Sequence, residues 1–296
     1  MAFPFGALMT SSLLFLVVLS FPNVHATGVS SSWKRAAHNV IASNHLINVP
    51  KNGGRKFRTG PWKKAQATFY EGGAGSYGTL NLKFDNVGGA CGYDDVVKDG
   101  YGLDTVALST VLYKKGKTCG ACYEIKCVDS PGCKGKSSIT VTATDICPPN
   151  YGQPSDNGGW CNPPRQHFDL AKPAYLKIAD YKAGIVPIKY RRVPCKRKGG
   201  IRFTITGNPY FNSVKVSNVG GAGDVVAVYV KGEDKLKWTQ LKRDWGQKWE
   251  TNAMLCEETL TFRVRTSDGR ISTSKRVAPK GWQFGQTFVG ENLGRK

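Results

Sequence analysis

Short runs in which apolar and polar residues alternate occupy most of the chain after residue 60, and glycine-rich turns separate them. In "SSITVTATD", Ile139, Val141 and Ala143 alternate with threonines, which predicts a half-buried strand. In "TLTFRVRTSDGRISTSKRV", every second position from residue 260 to residue 264 is apolar, and Asp268 and Gly269 predict the turn of a hairpin. Short strands joined by turns in this way are typical of an all-β protein.

Two short helices are predicted within this pattern of strands. The segment "LDTVALSTVLY" offers Asp104 as an N-terminal cap, and one or two helical turns are expected after it. The segment "KPAYLKIAD" predicts a second helix, because Pro173 is tolerated in the first turn of a helix.

The first 26 residues are predicted to be a signal peptide. Their apolar run, residues 13–19, is far shorter than the ~20 residues that span a bilayer. Val24 and Ala26 place small residues at positions −3 and −1 of a cleavage site. No later run suits a transmembrane helix, so we expect a secreted, soluble protein. Residues 27–60 then form a basic arm without clear periodicity, which is expected to be poorly ordered.

The composition changes after Cys195, where "KRKGG" (residues 196–200) is charged and ends in glycine. We place a linker there, between a first domain over residues 61–195 and a second domain over residues 201–296. The segments "IRFTITG" and "DVVAVYVKG" predict strands in the second domain. About 100 residues with several short strands suit a two-sheet β-sandwich.

Eight of the nine cysteines lie between residues 91 and 195. In a secreted chain, crowded cysteines predict structural disulfides rather than a metal or redox site, and eight cysteines pair evenly. We therefore expect neither a metal nor another cofactor. Cys256 is left over and is interpreted as a buried free thiol.

The net charge of +21 calls for a partner or another explanation, since the first 70 residues contain no acidic residue at all. In a cytosolic chain this balance would suggest nucleic acid. A secreted chain meets anionic polysaccharide or an anionic membrane surface first. A solvated basic surface that aids solubility is the alternative.

Asp169 is the main candidate for chemistry in the first domain. It lies between Phe168 and Leu170 on a predicted strand, where an unpaired carboxylate either raises its pKa or finds a partner. His167 lies two positions earlier and on the same strand face, as a hydrogen-bonding neighbour or as a base. The weaker candidates are the carboxylates of Glu71, Asp94, Asp95, Asp99 and Asp145. Of these, the three between residues 94 and 99 fall in a glycine-rich loop and are interpreted as solvated turn residues.

A series of motifs across roughly residues 60 to 290 resembles an expansin of plants. Among them are "TFYEGG", "GGACGY", "TCGACYEIKC", "DICPPN", "NGGWCNPP", "QHFDLAKPAYLKIADYKAGIVPIKYRRVPC", "NVGGAGDV", "DWGQKW" and "WQFGQTF". The "WCNPP" block and the "AGIVPIKYRRVPC" run are closest to the α-expansins. The number and order of these motifs make chance similarity negligible.

The resemblance implies a fold and an activity. The fold is a six-stranded double-psi β-barrel related to family 45 glycoside hydrolases, followed by an immunoglobulin-like β-sandwich that acts as a carbohydrate-binding module. The activity is a pH-dependent loosening of plant cell walls without cutting of polysaccharide. The resemblance also implies the disulfides Cys91–Cys119, Cys122–Cys195, Cys127–Cys133 and Cys147–Cys161. Cys256 departs from the family pattern.

The resemblance matches Asp169 to the general acid of the related hydrolases. In those enzymes the base lies two positions past a tyrosine that corresponds to Tyr70, and here Gly72 occupies that position. Glu71 is expected to face solvent, because a displacement of one residue along a strand reverses the face. Asp145 is expected to line the groove beside Asp169 and to raise its pKa through like-charge repulsion.

These residues predict a groove that binds glycan hydroxyl groups. Asp169 would act there as an acid-like residue that does not hydrolyse. The other expected groove residues are Thr68, Tyr70, Asp145 and His167.

In the second domain, the resemblance implies a platform for cellulose. Aromatic rings complement the flat sugar faces of cellulose, and the matching positions are Trp238 and Phe211, with Tyr210 beside them. The other tryptophans there, Trp245, Trp249 and Trp282, are expected to fill the sandwich core. The flanking lysines Lys235, Lys237 and Lys242 would bind acidic pectin or form a solvated face.

The leading hypothesis is a monomeric wall protein that binds cellulose and a matrix glucan such as xyloglucan, and separates them without hydrolysis. One alternative is a weak endoglucanase that uses Asp169 with Asp145 or Glu71. A further alternative is a pectin-binding wall protein without loosening activity.

Overall fold

The computed structural model describes residues 55–71, 89–135 and 137–293 of the chain. The predicted signal peptide (1–26) and most of the predicted basic arm (27–60) lie outside these residues. So does Gly72, the residue at the expected base position. In the described part, no helix is long and apolar enough to cross a membrane.

Six strands form a closed β-barrel, in the order β1-β5-β2-β4-β3-β6. The strands are β1 (Lys63–Tyr70), β2 (Thr105–Ser109), β3 (Cys122–Cys127), β4 (Ser138–Cys147), β5 (His167–Ala171) and β6 (Val186–Val193). The pairs β1–β5 and β2–β4 are parallel, whereas β2–β5, β3–β4, β3–β6 and β1–β6 are antiparallel. Phe168, Leu170, Val106, Leu108 and Ile125 are fully buried in the barrel core.

The helix predicted after Asp104 is wrong for most of its length. Residues 105–109 form β2, and only Thr110–Tyr113 is helical (α1). Every residue of β2 is buried, and the strand takes its hydrogen bonds from β4 on one side and β5 on the other. Burial on both faces removes the alternation that normally marks a strand. The second predicted helix is confirmed as α2 (Lys172–Tyr175), with Pro173 in its first turn. A 3₁₀ turn follows at Tyr181–Ala183.

The half-buried strand predicted at "SSITVTATD" is confirmed as β4, but its alternation is incomplete. Val141 and Ala143 point into the core, and Thr142 and Thr144 on the other face are buried as well. Thr142 is covered because Arg197, just after the barrel, donates a hydrogen bond of 2.9 Å to its hydroxyl. Residues from beyond the strand therefore bury a face that the local pattern assigns to solvent.

Eight further strands form the β-sandwich. They are β7 (Arg202–Asn208), β8 (Phe211–Ser217), β9 (Val225–Lys231), β10 (Thr239–Trp245), β11 (Lys248–Thr251), β12 (Leu260–Thr266), β13 (Ile271–Ala278) and β14 (Thr287–Val289). Strand β10 connects the two sheets: its first half pairs with β9, and its second half pairs with β11 after an irregularity at Arg243–Trp245. One sheet therefore has the order β13-β12-β9-β10, and the other has the order β10-β11-β8-β7-β14.

The predicted hairpin in the sandwich is confirmed. Leu260, Phe262 and Val264 alternate as buried core residues along β12. The turn to β13 contains Gly269 at φ +79°, a left-handed conformation that glycine adopts without strain. The pattern works here because one face of β12 packs on the core and the other face is polar.

Four disulfides cross-link the barrel, and they join Cys91–Cys119, Cys122–Cys195, Cys127–Cys133 and Cys147–Cys161. These are the pairs that the family resemblance implies. Cys256 is a free thiol, but it is half-buried rather than buried.

The barrel and the sandwich meet through main-chain contacts. Gly120 and Gly223 lie against each other, both at positive φ, and a Cβ at Gly120 would lie 2.7 Å from the carbonyl oxygen of Gly223. Gln247 of the β10–β11 turn donates its backbone N–H to the carbonyl of Cys91 (2.8 Å) and its side-chain amide to the carbonyl of Cys119 (2.9 Å). Because no side chain separates the two backbones, the junction leaves little room for sliding.

An ion cluster around the buried Lys215 also joins the two domains; it corrects the interpretation of Asp99 as a solvated turn residue, whereas Asp94 is exposed as expected. The ammonium group of Lys215, a residue only 8% exposed, lies 2.7 Å from Asp94 and 3.0 Å from Asp99. Asp99 is 5% exposed and also accepts a hydrogen bond from Ser217. Only Asp95 caps its own turn, through the N–H groups of the residues two and three positions later.

Candidate functional site

A row of four residues crosses the outside of the barrel on neighbouring strands. Asp169 on β5 pairs with Thr68 on β1 and with Ala107 on β2, and Ala107 pairs in turn with Asp145 on β4. Cross-strand partners point to the same face of a sheet. Phe168, beside Asp169 in sequence, points into the barrel core, so Asp169 points outward. The structure thus brings Asp145 and Asp169 to one face, with the small side chain of Ala107 between them.

The hydroxyl of Thr68 connects the two titratable residues at one end of this row. It donates a hydrogen bond of 2.7 Å to Asp169 Oδ1 and lies 2.8 Å from Nε2 of His167. A hydroxyl has one proton to donate. While Asp169 is ionised and accepts that proton, Nε2 of His167 carries a hydrogen and donates to Thr68. The other ring nitrogen, Nδ1, is buried and has no hydrogen-bond partner among the described residues; in this tautomer it carries no hydrogen.

The pKa values of this pair are shifted in opposite directions. Burial raises the pKa of Asp169 to about 6; the hydrogen bond from Thr68 opposes this effect, and the charge of Asp145 adds to it. Burial also lowers the pKa of His167 to about 4, with a smaller contribution from Arg165. At mildly acidic pH both side chains are therefore uncharged, and at neutral pH only Asp169 carries a charge.

Backbone N–H groups bind one carboxylate oxygen of Asp145. Its Oδ1 accepts hydrogen bonds from the backbone N–H of Ala90 (2.6 Å) and of Ile146 (2.7 Å). Burial raises the pKa of Asp145, and these two N–H groups oppose the rise. Gly89 lies so close that a Cβ there would be 2.9 Å from the Cβ of Asp145. One oxygen of Asp145 is thus already used by the backbone.

Glu71 points away from the row. Its carboxylate lies 2.8 Å from the ammonium group of Lys172 and is half exposed. Lys172 in turn lies over the ring of Tyr181, which places Glu71 on the side of the barrel where α2 begins. Tyr70, the last residue of β1, is on the same face as Thr68 because the two are separated by one residue.

The expected platform residues of the sandwich lie against different sheets. Phe211 and Tyr210, at the β7–β8 turn, are 42% and 77% exposed. Trp238 precedes β10 at the end that pairs with β9, and the guanidinium of Arg263 on β12 covers its ring at 4.4 Å. Trp238 is only half-exposed in this position.

Trp245 is 47% exposed, so the expectation that it fills the sandwich core is wrong. Trp249 and Trp282 are buried, as expected. Trp245 pairs with Lys248 across the β10–β11 turn, and Lys248 pairs with Lys215 on β8, four residues from Phe211. Trp245 and Phe211 therefore share the outer face of one sheet. The sequence spacing of Trp245 and Trp249 does not predict that Trp245 is exposed, because the irregularity at residues 243–245 reverses the face to which its side chain points.

Tyr151 is a second exposed aromatic residue that the sequence did not single out. It is 77% exposed, in the loop between β4 and β5. The Cys147–Cys161 disulfide closes this loop, and the side chain of Asn162 bonds to the backbone of Asn150 and Gln153 within it. The loop begins and ends beside the row, since Cys147 follows Asp145 by two residues and His167 precedes Asp169 by two.

In the part of the chain that the structure describes, no group of His, Cys, Asp or Glu side chains could hold a metal ion. The row and the neighbouring His167 offer two carboxyl groups with raised pKa values, a bridging hydroxyl and a neutral imidazole. These groups suit hydrogen bonding to sugar hydroxyls.

Comparison with known proteins identifies both domains. A family model described as the expansin C-terminal domain matches residues 201–279. A model described as lytic transglycolase matches residues 105–190, within the barrel, and this match is a relation of fold.

Several curated proteins are similar over most of the chain. Expansin-A32 of Oryza sativa subsp. japonica is 63% identical over 242 residues, which cover 81% of this chain and 87% of that protein. Expansin-A23 of Arabidopsis thaliana is 49% identical over 230 residues, which cover 78% of this chain and 80% of that protein.

Two solved structures share the fold at 20% identity and a TM-score of 0.57. They are an apo expansin of Clavibacter michiganensis, which covers 78% of this chain, and a variant of that protein in complex with cellohexaose, which covers 77%. The alignments cover 97% and 96% of those chains. Both domains of this chain are thus accounted for by one family of two-domain proteins. The chain belongs to the expansins and, within them, to the α-expansins, a family of proteins that loosen cell walls.

Proposed function

We propose that this chain binds cellulose and a matrix glucan such as xyloglucan, and loosens the wall by competing for their non-covalent contacts without hydrolysis. The barrel row of Thr68, Asp169 and Asp145 would bind glycan hydroxyls, with His167 and Tyr70 beside it. One observation carries the proposal. Asp169 is a buried acid whose pKa is raised to about 6, and in the described part of the chain the carboxylates of Glu71 and Asp145 already have bonds elsewhere.

Hydrolysis of a glycosidic bond usually needs two carboxyl groups with a gap that fits water or a direct attack. Glu71 is bound to Lys172 and points away from Asp169. Asp145 uses Oδ1 to accept two backbone N–H groups. Enzymes usually lower barriers by about 8–23 kcal/mol, and an acid without a positioned base lacks the means to do so.

The raised pKa of Asp169 would make glycan binding depend on pH. Below about pH 6 its carboxyl group is protonated and donates as well as accepts hydrogen bonds. Above that pH it is an anion that only accepts. Protonation therefore changes how the groove binds glycan hydroxyls, while His167 stays neutral down to about pH 4.

The sandwich supports the same function with exposed rings. Trp245 and Phe211 lie on one outer face, and stacking of sugar faces on such rings buries apolar area at low entropic cost. The C. michiganensis expansin that binds cellohexaose has the same two-domain fold, which supports a cellulose-type ligand. Trp245 joins Trp238, Phe211 and Tyr210 as a platform residue in this proposal. A cation lies over the ring of each tryptophan, Arg263 at Trp238 and Lys248 at Trp245.

The decisive experiment measures creep of heat-inactivated plant walls under constant load between pH 4 and pH 7.5. For the intact protein we expect creep in acid and its decline around pH 6. Asp169→Asn should lose this dependence on pH, because an amide does not titrate. An unchanged profile for Asp169→Asn would rule out the role of Asp169. Thr206→Val, at an exposed position of the sandwich, is the control.

One observation favours weak endoglucanase activity as the second candidate. The Cα atoms of Asp145 and Asp169 are two strand spacings apart, about 9–10 Å, which is near the carboxyl separation of inverting glycosidases. New reducing ends from cellulose or xyloglucan, made by the intact protein but not by Asp169→Asn or Asp145→Asn, would establish this activity instead.

We further propose that the chain is secreted to the cell wall after removal of residues 1–26 and acts there as a monomer. Homologous expansins are cell-wall proteins, which supports this location. Residues 61–195 and 201–296 would be the two domains, with 196–200 as the linker. A single species of monomer mass in light scattering of the wall-extracted protein is the expected result.

A further inference from the structure

A basic patch, defined as Lys114, Lys115 and Lys117, lies on the barrel beside the exposed ring of Trp245. We propose that the patch and Trp245 together bind a linear polyuronide, a polysaccharide that carries a carboxylate on each sugar. This inference extends the proposed function to an anionic glycan and rests on it only through the stacking role of Trp245.

The three lysines are held in a rigid turn that follows α1. Gly116 N–H donates to the carbonyl of Tyr113 (3.1 Å), and Lys117 N–H donates to that of Lys114 (3.2 Å). The Thr118 hydroxyl donates to the carbonyl of Leu112 (2.8 Å), and the next residue is disulfide-bonded. All three lysine side chains are exposed. The backbone is thus fixed, and the charges project into solvent.

The turn holds two of these lysines in an unfavourable backbone conformation. Lys114 and Lys115 have φ values of +52° and +54°, in the left-handed region. Residues with a Cβ rarely adopt this region, and glycine or asparagine fits it better. Lys114 is the C-terminal cap of α1, and the left-handed backbone of both residues turns the chain so that their side chains are exposed.

The turn contacts the sandwich next to Trp245. A Cβ at Gly116 would lie 3.0 Å from the backbone nitrogen of Gly246, the residue after Trp245. The ammonium group of Lys248 lies 5.1 Å from the centre of the Trp245 ring. The ring is 47% exposed, so a sugar can stack on it while neighbouring sugars extend over the patch.

The charge of the patch is not neutralised by its surroundings. Lys242, Lys215 and Lys248 in the adjoining sandwich surface form ion pairs with Glu250 or Asp94. None of the three patch lysines forms an ion pair with a carboxylate in the described part of the chain. Asp244, exposed beside Trp245, is the nearest opposing charge in sequence, so the patch retains a net positive charge.

A polyuronide fits both features at once. Like those of cellulose, its sugar rings have C–H faces that can stack on tryptophan. Its repeated carboxylates can pair with the ammonium groups of the basic patch. A neutral glucan would use the ring and leave the lysines without a role. Ion pairs at such an exposed surface are weakened by salt, so binding must decrease as ionic strength increases.

The test compares binding of the full-length protein to demethylated polygalacturonate and to the fully methyl-esterified polymer, at 20 mM and 300 mM NaCl. The variant is K114N/K115N/K117Q, because asparagine tolerates positive φ and the turn should still fold. We expect the Kd for polygalacturonate to rise about tenfold at 20 mM NaCl, which corresponds to about 1.4 kcal/mol. Binding to cellulose should not change.

The matched control is K182Q/K196Q/K275Q, which removes the same charge from exposed positions on three other segments of the described chain. It should weaken polygalacturonate binding less than twofold, whereas Trp245→Ala should weaken both polygalacturonate and cellulose binding. Equal losses in the two lysine variants would show that net charge alone acts and would overturn the proposal. Equal binding of the esterified polymer, or an unaltered Kd in the patch variant, would also overturn it. Cellulose binding and wall creep test the proposed function separately.

Discussion

At the residue scale, the hydroxyl of Thr68 sets the behaviour of the groove. It donates to Asp169 and accepts from His167, so one small side chain orients both titratable groups. Burial shifts their pKa values toward the neutral forms. Asp169 and His167 are therefore both uncharged at mildly acidic pH, although one is an acid and the other a base.

Thr68→Val tests this arrangement. The hydrogen bond from Thr68 lowers the pKa of Asp169 against the effect of burial. Without the donor, the anion is less stabilised, so the pKa of Asp169 should rise above its present value of about 6. The pH at which creep declines should move upward with it. Infrared titration of the carboxyl band, with Thr206→Val as the control, measures the shift directly. A downward shift would contradict the assigned donor.

Asp169→Asn should stabilise the folded protein at neutral pH. The folded-state pKa of Asp169 is about 6, above its ordinary value of 3.8. The folded state then holds the proton more tightly than the unfolded state, and stability is lost as pH rises through that window. The difference of about two pKa units corresponds to about 3 kcal/mol. Urea unfolding at pH 7.5 should show this gain, and at pH 3.5 the gain should vanish. An equal gain at both pH values would argue against a raised pKa.

Local sequence located Asp169 and placed His167 on the same strand face, whereas Thr68, 101 residues from Asp169, is identified only after the family resemblance. Local sequence did not reveal that Asp99 is buried, because its partner Lys215 is 116 residues away in sequence. A charged residue in a glycine-rich loop has the same local pattern whether water or a distant lysine surrounds it.

At the element scale, alternation predicts strands that have one polar face and fails where both faces are covered. Strand β12 shows the first case, with three buried residues separated by polar ones. Strand β2 shows the second, since all five of its residues are buried and its sequence resembles a helix start. Trp245 shows a third case. An irregularity in β10 reverses the sheet face to which Trp245 points, so Trp245 is exposed whereas Trp249 is buried.

The β4–β5 loop should depend on its disulfide. The Cys147–Cys161 bond closes a loop with a sequence separation of 14 residues. In the chain-entropy model, loss of such a cross-link destabilises a protein by about 3 kcal/mol. The double variant Cys147→Ser/Cys161→Ser should therefore unfold at lower urea concentration and be cleaved by proteases within residues 148–160. Cys256→Ser is the matched control, and equal protease resistance in both variants would refute this role.

At the scale of the whole molecule, the two domains are held together by main-chain contacts and by the ion cluster of the buried residues Lys215 and Asp99 with Asp94. This arrangement fixes the barrel row relative to the outer face that carries Trp245 and Phe211. The family resemblance predicted each domain but not this junction, because its contacts join residues more than 100 positions apart.

Lys215→Met should weaken the junction strongly. Removal of the ammonium group leaves Asp99 buried without its ion pair, and loss of one partner of a buried pair costs about 3–5 kcal/mol. Calorimetry should then show two separate unfolding transitions where the intact protein shows one.

The double variant Lys215→Met/Asp99→Asn is the control, because it removes the uncompensated charge and should recover part of the loss. Lys248→Met, at the partly exposed edge of the same cluster, should have a small effect. A single transition at unchanged temperature for Lys215→Met would mean that the cluster does not couple the domains.

The paired glycines Gly120 and Gly223 have a mechanical consequence. Two backbones in direct contact make a stiff connection, so movement of one domain relative to the other can displace glycan chains only slightly. The proposed mechanism includes no reaction that releases energy. Movement of the wall must then come from thermal motion of glycans under tension, and the protein binds in each gap between glycan chains as it opens.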